Sequence, residues 1–138
     1  MEEERNQVGR PLKYHNAEEM QEAIDSYFSS CMKIKFQGDK PCKDRNGNYI
    51  FEFYRPPTMS GLAVALDIDR KTLLNYSKKD QFLPTIRRAK MKIEMFTEEK
   101  LFEKETCNGS KFSLSNNFGW AEKQEVKASL DKKLEDVL

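Results

Sequence analysis

The sequence predicts a mainly α protein: a helix-turn-helix core carrying a β-hairpin or long-loop insert, followed by a long helix. Three observations lead there. The stretch Thr58–Lys79, TMSGLAVALDIDRKTLLNYSKK, reads as two short helices joined by a tight turn. Apolar residues before and after it recur at three and four, the helical period. Between the first of those stripes and the helix pair the period changes to alternation around Asn46-Gly47, a two-residue hairpin signal.

Residues 1–15 are polar and contain Gly9-Arg10-Pro11, a short basic turn followed by Lys13. Arg10 suits the strong negative potential of a narrow minor groove, with Lys13 as a further DNA-binding candidate; a disordered leader entering the first helix is the other reading. Asn16 can cap a helix, with Glu19 three residues on completing a capping-box-like pair. Met20, Ala23, Ile24, Tyr27, Phe28 and Cys31 then form one apolar stripe, through about Met32. In the insert, residues 33–55, Ile34 and Phe36 alternate with lysines, and Tyr49, Phe51 and Phe53 with Ile50, Glu52 and Tyr54. Pro56-Pro57 ends it. The insert aromatics can pack on the helices or stack on bases, and Lys40, Lys43 and Arg45 lie near its tip.

In the helix pair, Leu62, Ala63 and Leu66 give the first helix its inner face, and the small Ala63 permits a close crossing. Asp67-Ile68-Asp69 supplies the turn: Asp67 tolerates a left-handed conformation, Ile68 plugs the angle, and Asp69 caps the second helix. That second helix begins at Arg70, and Leu73, Leu74 and Tyr76 include the positions needed to pack it. Arg70, Lys71, Thr72 and Asn75 fall in its N-terminal half, where a recognition helix meets base edges and phosphates. Between Arg70 and Lys92 the chain holds eight Lys or Arg (70, 71, 78, 79, 87, 88, 90, 92) against one acid, Asp80, although the whole protein carries only +1. That asymmetry suggests an electrostatic footprint for phosphate.

Asp80–Pro84 opens a long helix, proline being tolerated in its first turn. Ile86, Ala89, Ile93, Phe96, Lys100 and Leu101 approximate its stripe, through about Thr106. Its first half is basic and its second acidic (Glu94, Glu98, Glu99, Glu103, Glu105), a polarity suited to contact between neighbouring subunits or to a solvated face. Asn108-Gly109 is expected to break it, and a short helix over 110–117 precedes Phe118-Gly119-Trp120. The last residues space Val126, Leu130, Leu134 and Val137 at four, four and three, the pattern of a partner-binding helix or a free tail. The domain reading is therefore a basic leader (1–15), a DNA-binding helix-turn-helix domain (16–82, insert 33–55), a helical oligomerisation region (83–120) and a docking tail (121–138).

Composition narrows the function classes. A chain of 138 residues with 38% hydrophobic and 34% charged content suits one compact domain with extensions. No apolar run reaches the ~18 residues of a membrane span, and the N-terminus lacks a signal-peptide core, so a cytoplasmic protein without membrane contact is expected. Cys31, Cys42 and Cys107 share no short spacing with one another or with His15, which argues for reduced thiols and against a metal site. No P-loop, nucleophile–base pair or metal-carboxylate motif is visible, so neither enzymatic activity nor a cofactor is expected.

Several pieces in order resemble a known family: Gly9-Arg-Pro-Leu-Lys-Tyr14, an acidic first helix, Pro56-Pro-Thr-Met-Ser-Gly-Leu-Ala-Val-Ala-Leu66, a basic helix with Ala89-Lys90, and Asn116-Asn-Phe-Gly-Trp-Ala-Glu-Lys123. Over roughly residues 9–123 the chain is similar to the small terminase subunits, the DNA-packaging proteins of tailed phages and prophages. Asp67 stands where helix-turn-helix families often carry glycine. The resemblance implies a non-catalytic subunit of the bacterial host cytoplasm. It would bind double-stranded DNA at the packaging-initiation region, assemble as a homo-oligomer, typically a ring, and recruit the large terminase ATPase-nuclease. It would place DNA contacts at Arg70, Lys71, Thr72 and Asn75 and phosphate contacts at Lys78, Lys79, Arg87 and Arg88. Subunit contacts would lie on the helix Thr85–Thr106, and the large-subunit dock on the Lys123–Leu138 tail. A helix-turn-helix transcriptional regulator acting as a dimer, and an adaptor whose basic face binds acidic protein, are the other readings of the same residues.

Overall fold

The computed structural model describes residues 12–122. In chain order it contains α1 (Ala17–Ser30), β1 (Met32–Ile34), β2 (Phe36–Gln37), β3 (Lys40–Pro41), β4 (Phe51–Phe53), α2 (Met59–Ala65), α3 (Arg70–Ser77), α4 (Leu83–Glu99), a 3-10 turn (Lys100–Phe102) and α5 (Cys107–Phe118). The protein is mainly helical, as its apolar periodicity predicts. Two compact units divide it, Met1–Phe96 and Thr97–Leu138. None of the described helices is long and apolar enough to cross a membrane.

In the first unit α1 starts where the sequence says it should. The Asn16 carboxamide accepts the Glu19 N–H at 2.8 Å, and the Glu19 carboxylate accepts the His15 N–H at 3.1 Å. Capping is thus reciprocal, reaching one residue further upstream than in the usual box. Met20, Ile24, Tyr27, Phe28 and Cys31 are buried and Ala23 is half-buried, so the predicted stripe is the core face.

The insert is more elaborate than one hairpin. β1 pairs antiparallel with β4, setting Met32 against Phe53 and Ile34 against Phe51. Beyond this stem the chain forks into two arms. β2 and β3 form one, turning at Gly38-Asp39. The other turns at Asn46-Gly47, where the Asp44 carboxylate accepts the Asn46 and Asn48 N–H groups at 2.9 and 3.0 Å. Three backbone bonds close the fork: Lys35 N–H to the Ile50 carbonyl (2.8 Å), Ile50 N–H to that of Cys42 (3.0 Å), and Cys42 N–H to that of Lys35 (2.8 Å). Of the aromatics, Phe53 packs edge-to-face on Phe96 of α4, with centroids 5.2 Å apart, whereas Phe36, Tyr49, Phe51 and Tyr54 are exposed.

Tyr27 joins α1 to the start of α2. Its hydroxyl accepts the Thr58 N–H at 2.8 Å and donates to the Thr58 carbonyl at 3.3 Å. Thr58 in turn caps α2, accepting the Gly61 N–H on its hydroxyl at 2.9 Å. The approach is so close that a Cβ on Gly61 would collide with the Tyr27 hydroxyl and lie 2.9 Å from that of Thr58. Tyr27→Phe strands the Thr58 N–H and is expected to cost about 1–3 kcal/mol. Gly61→Ala is expected to destabilise the wild-type background more than the Tyr27→Phe background, because the second change removes the atom that the new methyl meets. Urea denaturation of the four proteins in this cycle checks both statements.

α4 follows its expected stripe through Ile86, Ala89, Ile93 and Phe96 but ends at Glu99 rather than about Thr106. After the 3-10 turn Glu103 is extended, and the Thr106 hydroxyl takes up the Lys100 carbonyl at 2.7 Å. Continuing the helix past Glu99 would set the like charges of Glu99 and Glu103 four apart, which weakens it. The break therefore falls before Asn108-Gly109, which lie in the first turn of α5 and do not terminate a helix. In this second unit α5 packs on the 3-10 turn, with Ser110 and Leu114 buried. Gly119, at φ 73°, ends α5 in the left-handed conformation that glycine adopts without steric cost.

Candidate nucleic-acid interface

The turn between α2 and α3 is built by a glycine-type helix stop that uses aspartate. Asp67 sits at φ 56°, and its N–H donates to the Val64 carbonyl (3.0 Å) while the Ile68 N–H donates to that of Ala63 (3.1 Å). These are the two bonds of a Schellman motif, with Asp67 in the left-handed position. Ile68 is half-buried, as its role in the angle requires. Asp69 then caps α3, its carboxylate accepting the Thr72 N–H at 2.7 Å.

Three rings hold α3 in place. Tyr76 is buried and packs edge-to-face on the fully buried Phe82, with centroids 4.9 Å apart. Tyr14 meets the other side of Tyr76 at 6.0 Å, and its backbone N–H donates to the Tyr76 hydroxyl at 3.0 Å. The Tyr14 hydroxyl donates to the Leu66 carbonyl at the end of α2, at 2.9 Å. Burial raises the Tyr14 phenol above its ordinary range. One chain of contacts thus runs from Phe82 through α3 to the end of α2.

This packing decides which side of α3 is left open. Leu73 and Tyr76 are buried and Thr72 is half-buried, whereas Arg70, Lys71, Leu74, Asn75 and Lys78 are exposed. Helical periodicity places those five in one continuous sector, with Leu74 between Arg70 and Lys78. Thr72 lies outside the sector, its backbone engaged by the cap. Leu74, expected among the packing positions, is 56% exposed. The helical wheel of α3 contained the signal for it. Lys79 is half-buried with its ammonium 5.7 Å from the Tyr76 ring centroid, a cation–π placement. Arg87 and Arg88 are exposed on α4.

The leader is engaged differently. Arg10 lies outside the described residues. The Lys13 ammonium pairs with the Asp67 carboxylate at 2.5 Å, so it clamps the turn. That hydrogen bond holds the Asp67 carboxyl below its ordinary value. A depressed carboxyl stabilises the fold above its unfolded pKa, near 4, and loses that contribution as pH falls through the folded value. The stability difference between wild type and Lys13→Met is therefore expected to be present at neutral pH and to vanish in acid. Thermal melts from pH 7 to pH 3 measure it.

Among the described residues no cluster of His, Cys, Asp and Glu is arranged to hold a metal, and all three cysteines are free thiols. The open face of α3 instead offers cations, an amide and a branched apolar side chain on one side of a short helix. Those groups suit phosphate, base-edge and thymine-methyl contacts respectively. The family described as DNA-packaging protein gp3 matches residues 9–126. The chain belongs to that family of phage DNA-packaging proteins. No curated protein and no solved structure matches it.

Proposed function

We propose that this member of a phage DNA-packaging family is a small terminase subunit that grips double-stranded DNA with the open face of α3. The single observation that carries the reading is the continuous sector Arg70, Lys71, Leu74, Asn75 and Lys78, exposed on a helix whose opposite side is anchored by Tyr76 and Phe82. α2, the turn and α3 act as a helix-turn-helix, with α3 entering the major groove. Arg70, Lys71 and Lys78 hold phosphate or guanine edges, and Asn75 and Leu74 read bases. Lys79, Arg87 and Arg88 add to the positive field around the site.

The protein acts without catalysis of its own, in the host cytoplasm, at the site where packaging begins. Copies assemble through α4, where Met91 and Met95 remain exposed outside the surface that the core uses. A ring of such modules adds weak contacts by effective concentration, so each module can bind modestly. The large terminase subunit docks on the tail, residues 123–138, which lie outside the described residues. A dimeric transcriptional regulator would use the same α3 face.

Two measurements test this. Anisotropy titration of a labelled duplex is expected to show binding that weakens steeply as salt rises; absence of binding at low salt removes the reading. Light scattering is expected to give a mass above a dimer, and a stable dimer would favour the regulator.

A further inference from the structure

The fork of the insert gathers features that the helix face does not use. Phe36 adjoins Lys35, and Tyr49 and Phe51 flank Ile50, so three ring-bearing residues are next in sequence to the point where the Lys35, Cys42 and Ile50 backbones close on one another. All three are exposed, Phe36 at 57% and Phe51 at 55%. Phe53, further down the stem, is the ring that the core consumes. Residues 33–52 also carry Lys33, Lys35, Lys40, Lys43 and Arg45 against Asp39, Asp44 and Glu52. Of these acids Asp44 is turned onto its own turn, accepting two backbone N–H groups. The Lys43 ammonium stands 5.1 Å from the Tyr49 ring centroid.

We infer that this fork, through Phe36, Tyr49 and Phe51 with Lys35 and Lys43 beside them, binds the unpaired bases of single-stranded nucleic acid. Exposed rings such as Phe36 and Phe51, with cations close by, are what stacked bases and their phosphates require, and the stacking tolerates any base sequence. A duplex keeps its base faces inside its own stack and gives these rings nothing to cover. An apolar protein surface would have to desolvate the Lys43 ammonium that stands beside the Tyr49 ring. The α3 face addresses duplex DNA, so the fork adds a second, separate mode for strands that are melted or frayed.

The rings are solvent-exposed, so their replacement leaves the core intact, which circular dichroism verifies. Labelled oligo(dT) and a duplex of equal length are titrated with the full chain at low salt. F36L/F51L, which keeps apolar bulk but removes the flat faces, is expected to weaken oligo(dT) binding by about tenfold or more and to leave duplex binding unchanged. F36W/F51W is expected to retain oligo(dT) binding. R70A/K71A is expected to give the opposite pattern, losing the duplex and keeping oligo(dT), so failure of the helix-face reading is seen separately. The inference is overturned if wild type does not bind oligo(dT), or if leucine serves as well as phenylalanine. Equal weakening of both ligands, or a fall in oligomer mass as the only effect, would also overturn it and assign the fork to duplex or to subunit contacts.

Discussion

Phe82→Ala is expected to lower the stability of the first unit by about 3–5 kcal/mol, the range for removing a buried aromatic ring. Domains of this size are stable by only about 5–15 kcal/mol, so much of the margin goes with one side chain. Phe82 has no exposed surface, and it supports more than itself. Its edge-to-face partner Tyr76 anchors α3, and the Tyr76 hydroxyl accepts the Tyr14 N–H, whose own side chain reaches the end of α2. Loss of the ring leaves a cavity at the root of that chain of contacts. Urea denaturation is the measurement. Phe82→Leu, which fills part of the space, is expected to lose less, and a Phe82→Ala cost under about 1 kcal/mol would mean that α3 is held some other way. DNA affinity is expected to fall with stability in this variant, because the open face exists only while α3 is docked.

The second large effect is on binding. Replacing Arg70, Lys71 and Lys78 together by alanine removes three cations from one exposed sector without touching the core. The slope of log affinity against log salt is expected to flatten by about 0.9 for each phosphate that is no longer neutralised. Low-salt affinity should fall on every duplex alike, since phosphate contacts carry no sequence information. Leu74→Ala and Asn75→Ala should behave in the opposite way. They are expected to leave the salt slope nearly intact and to redistribute preference among sequences, by about 1–3 kcal/mol at the base pair each one reads. Anisotropy titrations against a small panel of duplexes at several salt concentrations separate the two behaviours.

How much of this was legible in the sequence depends on the range of the interaction. Local chemistry was readable. Asn16 and Asp69 cap the helices assigned to them, and Asp67 takes the left-handed position of the turn. Each of those outcomes is decided within three or four residues. Contacts between distant residues were not readable. Lys13 looks like a free basic residue of a leader until the fold brings it to Asp67, and Tyr27 looks like one more core ring until its hydroxyl meets Thr58. The fork of the insert likewise depends on three backbone strands meeting, whereas Asn46-Gly47 announces only one of its two turns. Leu74 is a different case. Leucine in a short helix is ordinarily read as a packing residue, but Leu73 and Tyr76 already occupy the inner side, and geometry puts Leu74 outward. The sequence points to a later end for α4 because Asn108-Gly109 is a conspicuous breaker, while the like charges of Glu99 and Glu103 that weaken the helix earlier are a small effect.

The open side of α3 is expected to be what touches duplex DNA. The most direct test places a photo-crosslinking side chain at Leu74, at Asn75 and, as a control, at Glu22 on the exposed side of α1. All three positions are exposed, so the fold tolerates the probe. Irradiation with a bound duplex is expected to link the Leu74 and Asn75 probes to DNA and to leave the Glu22 probe unlinked. A protein that binds the duplex yet crosslinks from Glu22 and not from Leu74 or Asn75 would contradict the account.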